Sequence, residues 1–286
     1  MRNVIVPQIK SSSLVGQLKS LYETLKDAKP NEDLNFDLNQ LSFACPLLIL
    51  PLCSYLNTTK SEFVISKDSK IKSYLDVINF PKGITSVSSF HQKIQKDKNY
   101  IPISVLTREG VVGRERLESL FATMVYKAID VSGIEGVSNA IYYPIGELIT
   151  NIFEHSKENQ GFIFGQFYPK KEWLDICIVD RGRGLAAAYQ QEKNLNLSDG
   201  DAIAEVMKGN STKPDKERGY GVRTSKRVVC EALGGEFTII SGSSALVVSK
   251  DKEKLVSLPN FHWQGVIIAY KIPKPKHPID IFPYLE

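Results

Sequence analysis

Three short stretches hold side chains that could act together on a phosphorylated ligand. In GELITNIFEHS (146–156), Glu147, Asn151 and His155 recur every four residues. That spacing puts them on one helix face, while Leu148, Ile149 and Ile152 can face a core. A carboxylate and an amide one turn apart suit a nucleotide. The amide oxygen is a neutral hard ligand for Mg²⁺, and the carboxylate can take a proton from water or a hydroxyl. On this segment alone an amphipathic helix with its polar face in water is the simpler account.

The second stretch is IVDRGRGL (178–185), where an apolar run ends in Asp180 and Gly182 and Gly184 alternate with Arg181 and Arg183. Glycine allows close backbone approach to a ligand. An aspartate at a strand end can accept a hydrogen bond from an exocyclic amine such as that of adenine. A Gly-rich turn after a strand explains the same residues. The third stretch runs from Lys208 to Gly235 and holds Gly219-Tyr220-Gly221 ahead of a helical pattern. Amides and dipole at such a helix start favour an anion. Residues 208–227 carry seven basic groups, Lys213 and Arg218 among them, against two acidic ones, Asp215 and Glu217. That excess could meet a triphosphate, and a solvated loop accounts equally for any single lysine.

These segments need elements to hold them. Arg114–Asp130 and Ile141–His155 read as helices. GFIFGQFYP (161–169) and WLDICIVD (173–180) read as strands joined by a turn at Pro169–Glu172. Asp201–Met207 and Gly221–Leu233 read as helices, the latter ended by Gly234-Gly235. Strands at 236–241 and 245–249 flank Gly242–Ser244, and GVIIAYKIP (265–273) is a last strand. Two or three helices over an antiparallel or mixed sheet make an α+β sandwich.

The first third alternates differently. Val4–Val6 and LNFDL (34–38) read as strands, as does EFVIS (62–66). Leu14, Leu18, Leu21 and Leu25 mark a helix capped by Ser11–Ser13 and stopped at Pro30-Asn31. Pro46–Leu56 and IKSYLDVI (71–78) are further helices, Pro46 fitting a first turn. The expectation is an α/β layer domain over 1–98 and a second domain over 99–286, divided by the polar, patternless stretch 85–99.

The 286 residues carry 36 basic and 32 acidic side chains, a net charge of +4 that is too mild to argue for nucleic acid. The four cysteines, Cys45, Cys53, Cys177 and Cys230, form no CxxC pair and sit among apolar residues, so they read as reduced core thiols. No signal-peptide run opens the chain, and the apolar stretch 41–56 is too short to span a bilayer. The expectation is a cytoplasmic protein that binds no membrane.

Taken in order, the carboxylate–amide helix, the strand ending in DRGRG, the GxG and the helix ending in Gly-Gly resemble the GHKL ATPase superfamily, which includes histidine kinases and anti-sigma-factor kinases. ELITNIFEHS resembles its N-box, DRGRG its first glycine box, and RGYGVRTSKRVVCEALGGEFTIISG its second, over roughly residues 110–273. The resemblance implies a Bergerat-type α/β sandwich binding Mg²⁺ and ATP. Asn151 would hold Mg²⁺, Glu147 would orient or deprotonate the nucleophile, and Asp180 would bind the adenine amine. Gly182, Gly184, Gly219 and Gly221 would shape the pocket and meet the phosphates. His155 would stand near the nucleotide, and Arg218 or Lys213, on a lid of about Leu195–Arg218, would reach the γ-phosphate. Val222-Arg223 follows the GxG where the family usually has Leu-Gly, and Val266 replaces its usual Thr, which leaves one adenine-side contact in doubt.

None of His91, His155, His262 or His277 lies on a long helical hairpin upstream of the ATP domain, so a self-phosphorylating histidine kinase is not expected. LNFDLNQLSFACPLLILPLCSYL (34–56) resembles the central strand, loop and helix of a STAS-like domain, the anti-sigma-factor antagonist fold. Where that family's phosphorylatable Ser would lie, the chain reads Phe43-Ala44-Cys45-Pro46, with Ser42 earlier. The resemblances imply an ATP-dependent regulator of the anti-sigma-factor kinase type, acting on a STAS-like or sigma-factor-like partner. It would phosphorylate Ser or Thr or hydrolyse ATP slowly as a switch, and a homodimer is compatible. A nucleotide-sensing module without turnover, or the ATP-binding part of a histidine-kinase system lacking its acceptor helix, stays open beside it.

Overall fold

The computed structural model describes residues 1–93, 99–108, 111–210, 212, 221–250 and 252–285, with only the backbone of residues 111 and 155. Lys213, Arg218 and Gly219 lie outside the described residues, as does the side chain of His155. The fold is mixed α/β. Strands β1 (Arg2–Ile5), β2 (Leu34–Asp37) and β3 (Glu62–Val64) form a small parallel sheet in that order. Helices α1 (Leu14–Leu25) and α2 (Pro46–Thr58) make its crossovers. Ser13 caps α1, its side chain accepting from the Gly16 N–H, and Pro46 opens α2.

A larger antiparallel sheet has the order β4-β5-β6-β10-β7-β8-β9. Its strands are β4 (Tyr100–Thr107), β5 (Gln160–Tyr168), β6 (Trp173–Asp180), β7 (Glu236–Gly242), β8 (Ser244–Ser249), β9 (Lys252–Ser257) and β10 (Trp263–Pro273). One face carries α5 (Val111–Ile129), α6 (Val137–His155), α8 (Asp199–Lys208) and α9 (Gly221–Arg227), the last continuing as a π-helical turn to Ala232. Short helices α3 (Lys72–Val77) and α4 (Val87–Lys93) lead into β4, and α7 (Gly184–Lys193) follows β6.

The other face of the large sheet is covered by the N-terminal segment. Along β6, Cys177 and Val179 join a core with Leu47, Leu48, Phe36 and Leu21, while Ile176 and Ile178 join one with Phe121, Leu148 and Ile149. Period-two alternation therefore serves two cores, and the strand reads as a continuous apolar run. From Pro46 to Tyr55 every residue of helix α2 is buried, the pattern of a helix enclosed on every side. Leu47, Leu48, Ile49, Leu50 and Leu52 have no exposed surface, each contributing about 1.5–3 kcal/mol by burial. The result is four layers: the parallel sheet, α1 and α2, the antiparallel sheet, and the site-bearing helices. Residues from both halves of the chain share one core.

Several elements differ from the sequence reading. Helix α4 occupies part of the stretch read as patternless, its Phe90 buried as an anchor. Strand β4 is broken by Pro102, which sits at a register shift between Ile101 and Ser104 on an edge strand, where its missing N–H is tolerated. Strand β9 is an exposed edge whose Lys and Glu side chains hide any alternation. Helix α7 begins directly at the second glycine of DRGRG, so a turn motif masked it. Helix α6 starts at Val137 and runs through Pro144, earlier than Ile141. Among the described residues no helix is long and apolar enough to cross a membrane.

Candidate functional site

Five of the residues singled out in the sequence line one cavity: Glu147 and Asn151 from α6, Asp180 from the end of β6, Gly184 at the start of α7 and Gly221 at the start of α9. Leu148, Ile149 and Ile152 are buried, Leu148 and Ile152 against the cavity wall, and the amphipathic pattern leaves Glu147 and Asn151 on the cavity side. His155 lies on the same helix, at its last residue. Gly182 is not in the wall. It sits against Ser156 and donates its N–H to Asp180.

Gly221 approaches the helix α6 side chains closely. A Cβ there would lie 2.5 Å from Oε2 of Glu147 and 3.2 Å from Nδ2 of Asn151. The helix start, the carboxylate and the amide therefore meet at one point. Nδ2 of Asn151 is buried with no hydrogen-bond partner among the described residues. A buried amide without a partner costs roughly 1–3 kcal/mol, and such an atom marks where a ligand's acceptor would be bound.

Asp180 closes the other end. It is 4 % exposed, and Oδ1 accepts the Gly182 N–H at 2.8 Å. Burial pushes its carboxyl up to about 7, against the lowering effect of the N–H groups of Gly182 and Val266. Val266 thus contributes its backbone N–H to Asp180. Gly265, at φ 103°, lets β10 pass close beneath: a Cβ there would lie 2.3 Å from the Asp180 carbonyl. The Trp263 indole N–H donates to that carbonyl at 3.1 Å.

Between these polar ends the walls are apolar: Ile152, Ile178, Ala188, Val206, Val266 and Ile268. An apolar slot with a hydrogen-bonding carboxylate at its floor and polar groups at its mouth fits a flat heterocycle bearing an amine and an anionic tail. Asn210 and Thr212 border the mouth. The Tyr189 hydroxyl of α7 donates to the Asn210 carbonyl, and Arg223 of α9 donates to the Lys208 carbonyl at the end of α8 at 2.9 Å.

Among the described residues no group of three or more His, Cys, Asp or Glu gathers to hold a metal. The groups at Gly221 able to ligate a cation are the Glu147 carboxylate and the Asn151 amide through its oxygen, Oδ1. That fits Mg²⁺ bound mainly through phosphate and water oxygens, since this ion keeps several waters and takes few protein ligands.

The sequence reading did not single out Ser241 or Trp263. The Ser241 hydroxyl accepts from the Leu185 N–H at 3.0 Å and donates to the Gly265 carbonyl, joining the glycine turn to β10. Nothing in their spacing marks them; the strand pairing of β7 and β10 brings them to the site. No protein-family model, curated protein or solved structure matches this chain.

Proposed function

We propose that the chain binds Mg-ATP in this cavity and works as a regulator of the anti-sigma-factor kinase type within the GHKL superfamily, its C-terminal sandwich of the Bergerat type. The observation that carries the reading is the meeting of Glu147, Asn151 and Gly221 at one end of an apolar slot whose other end is Asp180. Asp180 would accept the adenine amine, and Asn151 would hold Mg²⁺. The ion would supply charge neutralisation at the phosphates. Glu147 would orient or deprotonate the attacking hydroxyl of a partner's Ser or Thr, or of water. Phosphoryl transfer asks mostly for positioning and charge compensation, which this set provides. Lys213 and Arg218 remain proposed lid cations, His155 a neighbour of the nucleotide, and Gly182, Gly184 and Gly219 shapers of the phosphate end.

The N-terminal segment supports a STAS-like reading through its β2–loop–α2 unit. The start of α2, at Cys45-Pro46, is buried, so no acceptor hydroxyl is presented there to a kinase. That observation favours a second reading, a nucleotide sensor without turnover whose N-terminal layer carries the output. The two are separated by incubating the full chain with γ-labelled ATP and candidate partners. Acid-stable label on a protein supports the kinase. Free phosphate alone means an ATPase, and ATP binding with neither product means the sensor. Absence of ATP binding in calorimetry would sink the pocket assignment.

A further inference from the structure

Asp180 and Arg181 are neighbours whose side chains leave on opposite faces of the large sheet. Asp180 enters the cavity, while Arg181 enters the N-terminal layer. The Arg181 side chain belongs to a buried residue, 6 % exposed, and its guanidinium lies 4.3 Å from the Tyr55 ring centroid and 5.1 Å from that of Trp263. Its Nη2 donates to Oδ1 of Asn31 at 2.7 Å. Tyr55 lies on α2, and Asn31 stands in the turn before β2 with φ 56°, a left-handed conformation that Asn tolerates better than most residues. The Asn31 amide in turn donates to Oε1 of Gln264 at 3.0 Å.

The same layer grips the loop leading into β10. The Tyr22 hydroxyl donates to the Pro259 carbonyl at 3.1 Å, and the Asp27 N–H to the Asn260 carbonyl at 2.6 Å. That loop delivers the Trp263 indole to the Asp180 carbonyl and the Val266 N–H to the Asp180 carboxylate. Two separate sets of contacts therefore run from the N-terminal layer to one aspartate.

We propose that Arg181 is a positioning residue for the nucleotide site, clamped by Tyr55, Trp263 and Asn31, so that the N-terminal layer and ATP binding are energetically coupled. The inference rests on the ATP reading of the cavity. Coupling of this kind is reciprocal: a layer that holds Asp180 in place raises nucleotide affinity, and bound nucleotide tightens the layer. A guanidinium desolvated between two aromatic rings supplies enough energy for an effect of about tenfold.

The test uses the full chain and Mg-ATP. Arg181→Lys keeps the charge but loses the planar stack, and Tyr55→Leu removes the ring. Both are expected to weaken ATP binding about tenfold at temperatures well below their melts. Tyr55→Phe, which keeps the ring but loses the hydroxyl's bond to the Glu32 carbonyl, should lose less affinity than Tyr55→Leu. A purely structural role would lower the melting temperature and leave the dissociation constant unchanged. Hydrogen exchange gives the reciprocal readout without any variant: saturating ATP should slow exchange in the turn containing Asn31 and in α2. Wild-type affinity in Arg181→Lys and Tyr55→Leu, or unchanged exchange in those segments on ATP saturation, overturns the coupling while leaving the pocket in place. If the wild type fails to bind ATP, the pocket assignment falls and the coupling with it.

Discussion

Oδ1 of Asp180 accepts the backbone N–H of Gly182 at 2.8 Å in a site so enclosed that its carboxyl is raised from 3.8 to about 7. A raised carboxyl means that the folded protein holds a proton which the unfolded chain releases. This part of the stability is complete below about pH 4 and declines as the pH rises towards 7. Asp180→Asn should abolish ATP binding and, near pH 8, raise stability by about 1–3 kcal/mol, a gain that vanishes at acid pH. Denaturant melts of both proteins across that range, with calorimetric ATP titrations, check it. A variant destabilised at all pH values would contradict the burial argument.

Gly221→Ala tests the meeting point of α6 and α9. Its new Cβ would press on the Glu147 carboxylate at 2.5 Å, the far end of a flexible side chain that can swing away. The fold should lose less than about 1 kcal/mol, whereas nucleotide affinity should fall at least about tenfold because the displaced carboxylate crowds Asn151. Affinity equal to wild type would separate Gly221 from the ligand.

Glu147→Ala is expected to retain ATP binding within about threefold and to lose turnover by about 10²-fold or more, as removal of a general base does. Steady-state phosphate release and transfer of labelled phosphate, beside calorimetry, read the two quantities apart. Unchanged turnover in the variant would remove Glu147 from the chemistry.

Behind the sheet, Lys271 Nζ lies 3.3 Å from Oδ1 of Asp175, whose Oδ2 accepts from Gln17 of α1 at 2.7 Å. Lys271 also donates to the Ser12 carbonyl at 2.6 Å. Burial pushes the Asp175 carboxyl up to about 6 despite Lys271. Lys271→Met leaves that carboxylate buried without its cation. It should cost about 3–5 kcal/mol near neutral pH and less in acid, where Asp175 takes up a proton. Adding Asp175→Asn should recover part of the loss. Equilibrium unfolding of the single and double variants decides it, and additive effects would mean that the two residues do not interact.

The sequence by itself determined the local elements and much of the proposed pocket. The spacing of Glu147, Asn151 and the apolar residues between them sets the two faces of α6, because 3.6-residue periodicity depends only on neighbours in the chain. The run ending in Asp180 is legible as a strand for the same reason, and Ser13 and Pro46 start α1 and α2 as their chemistry requires. Strands β4 and β9 were hidden, one by Pro102 at a bulge and one by charges on an open edge, since edge strands escape the burial that writes alternation into a sequence. Only the tertiary structure decided what α2 and the back of the large sheet bury. A largely apolar helix and a strand apolar on both faces each demand a cover, but composition cannot say that each is the cover of the other. The same holds at the site. Asp180 is readable as a strand-end carboxylate, whereas the clamp on Arg181 by Tyr55, Trp263 and Asn31 joins residues far apart in the chain, which only the packing of the layers brings together.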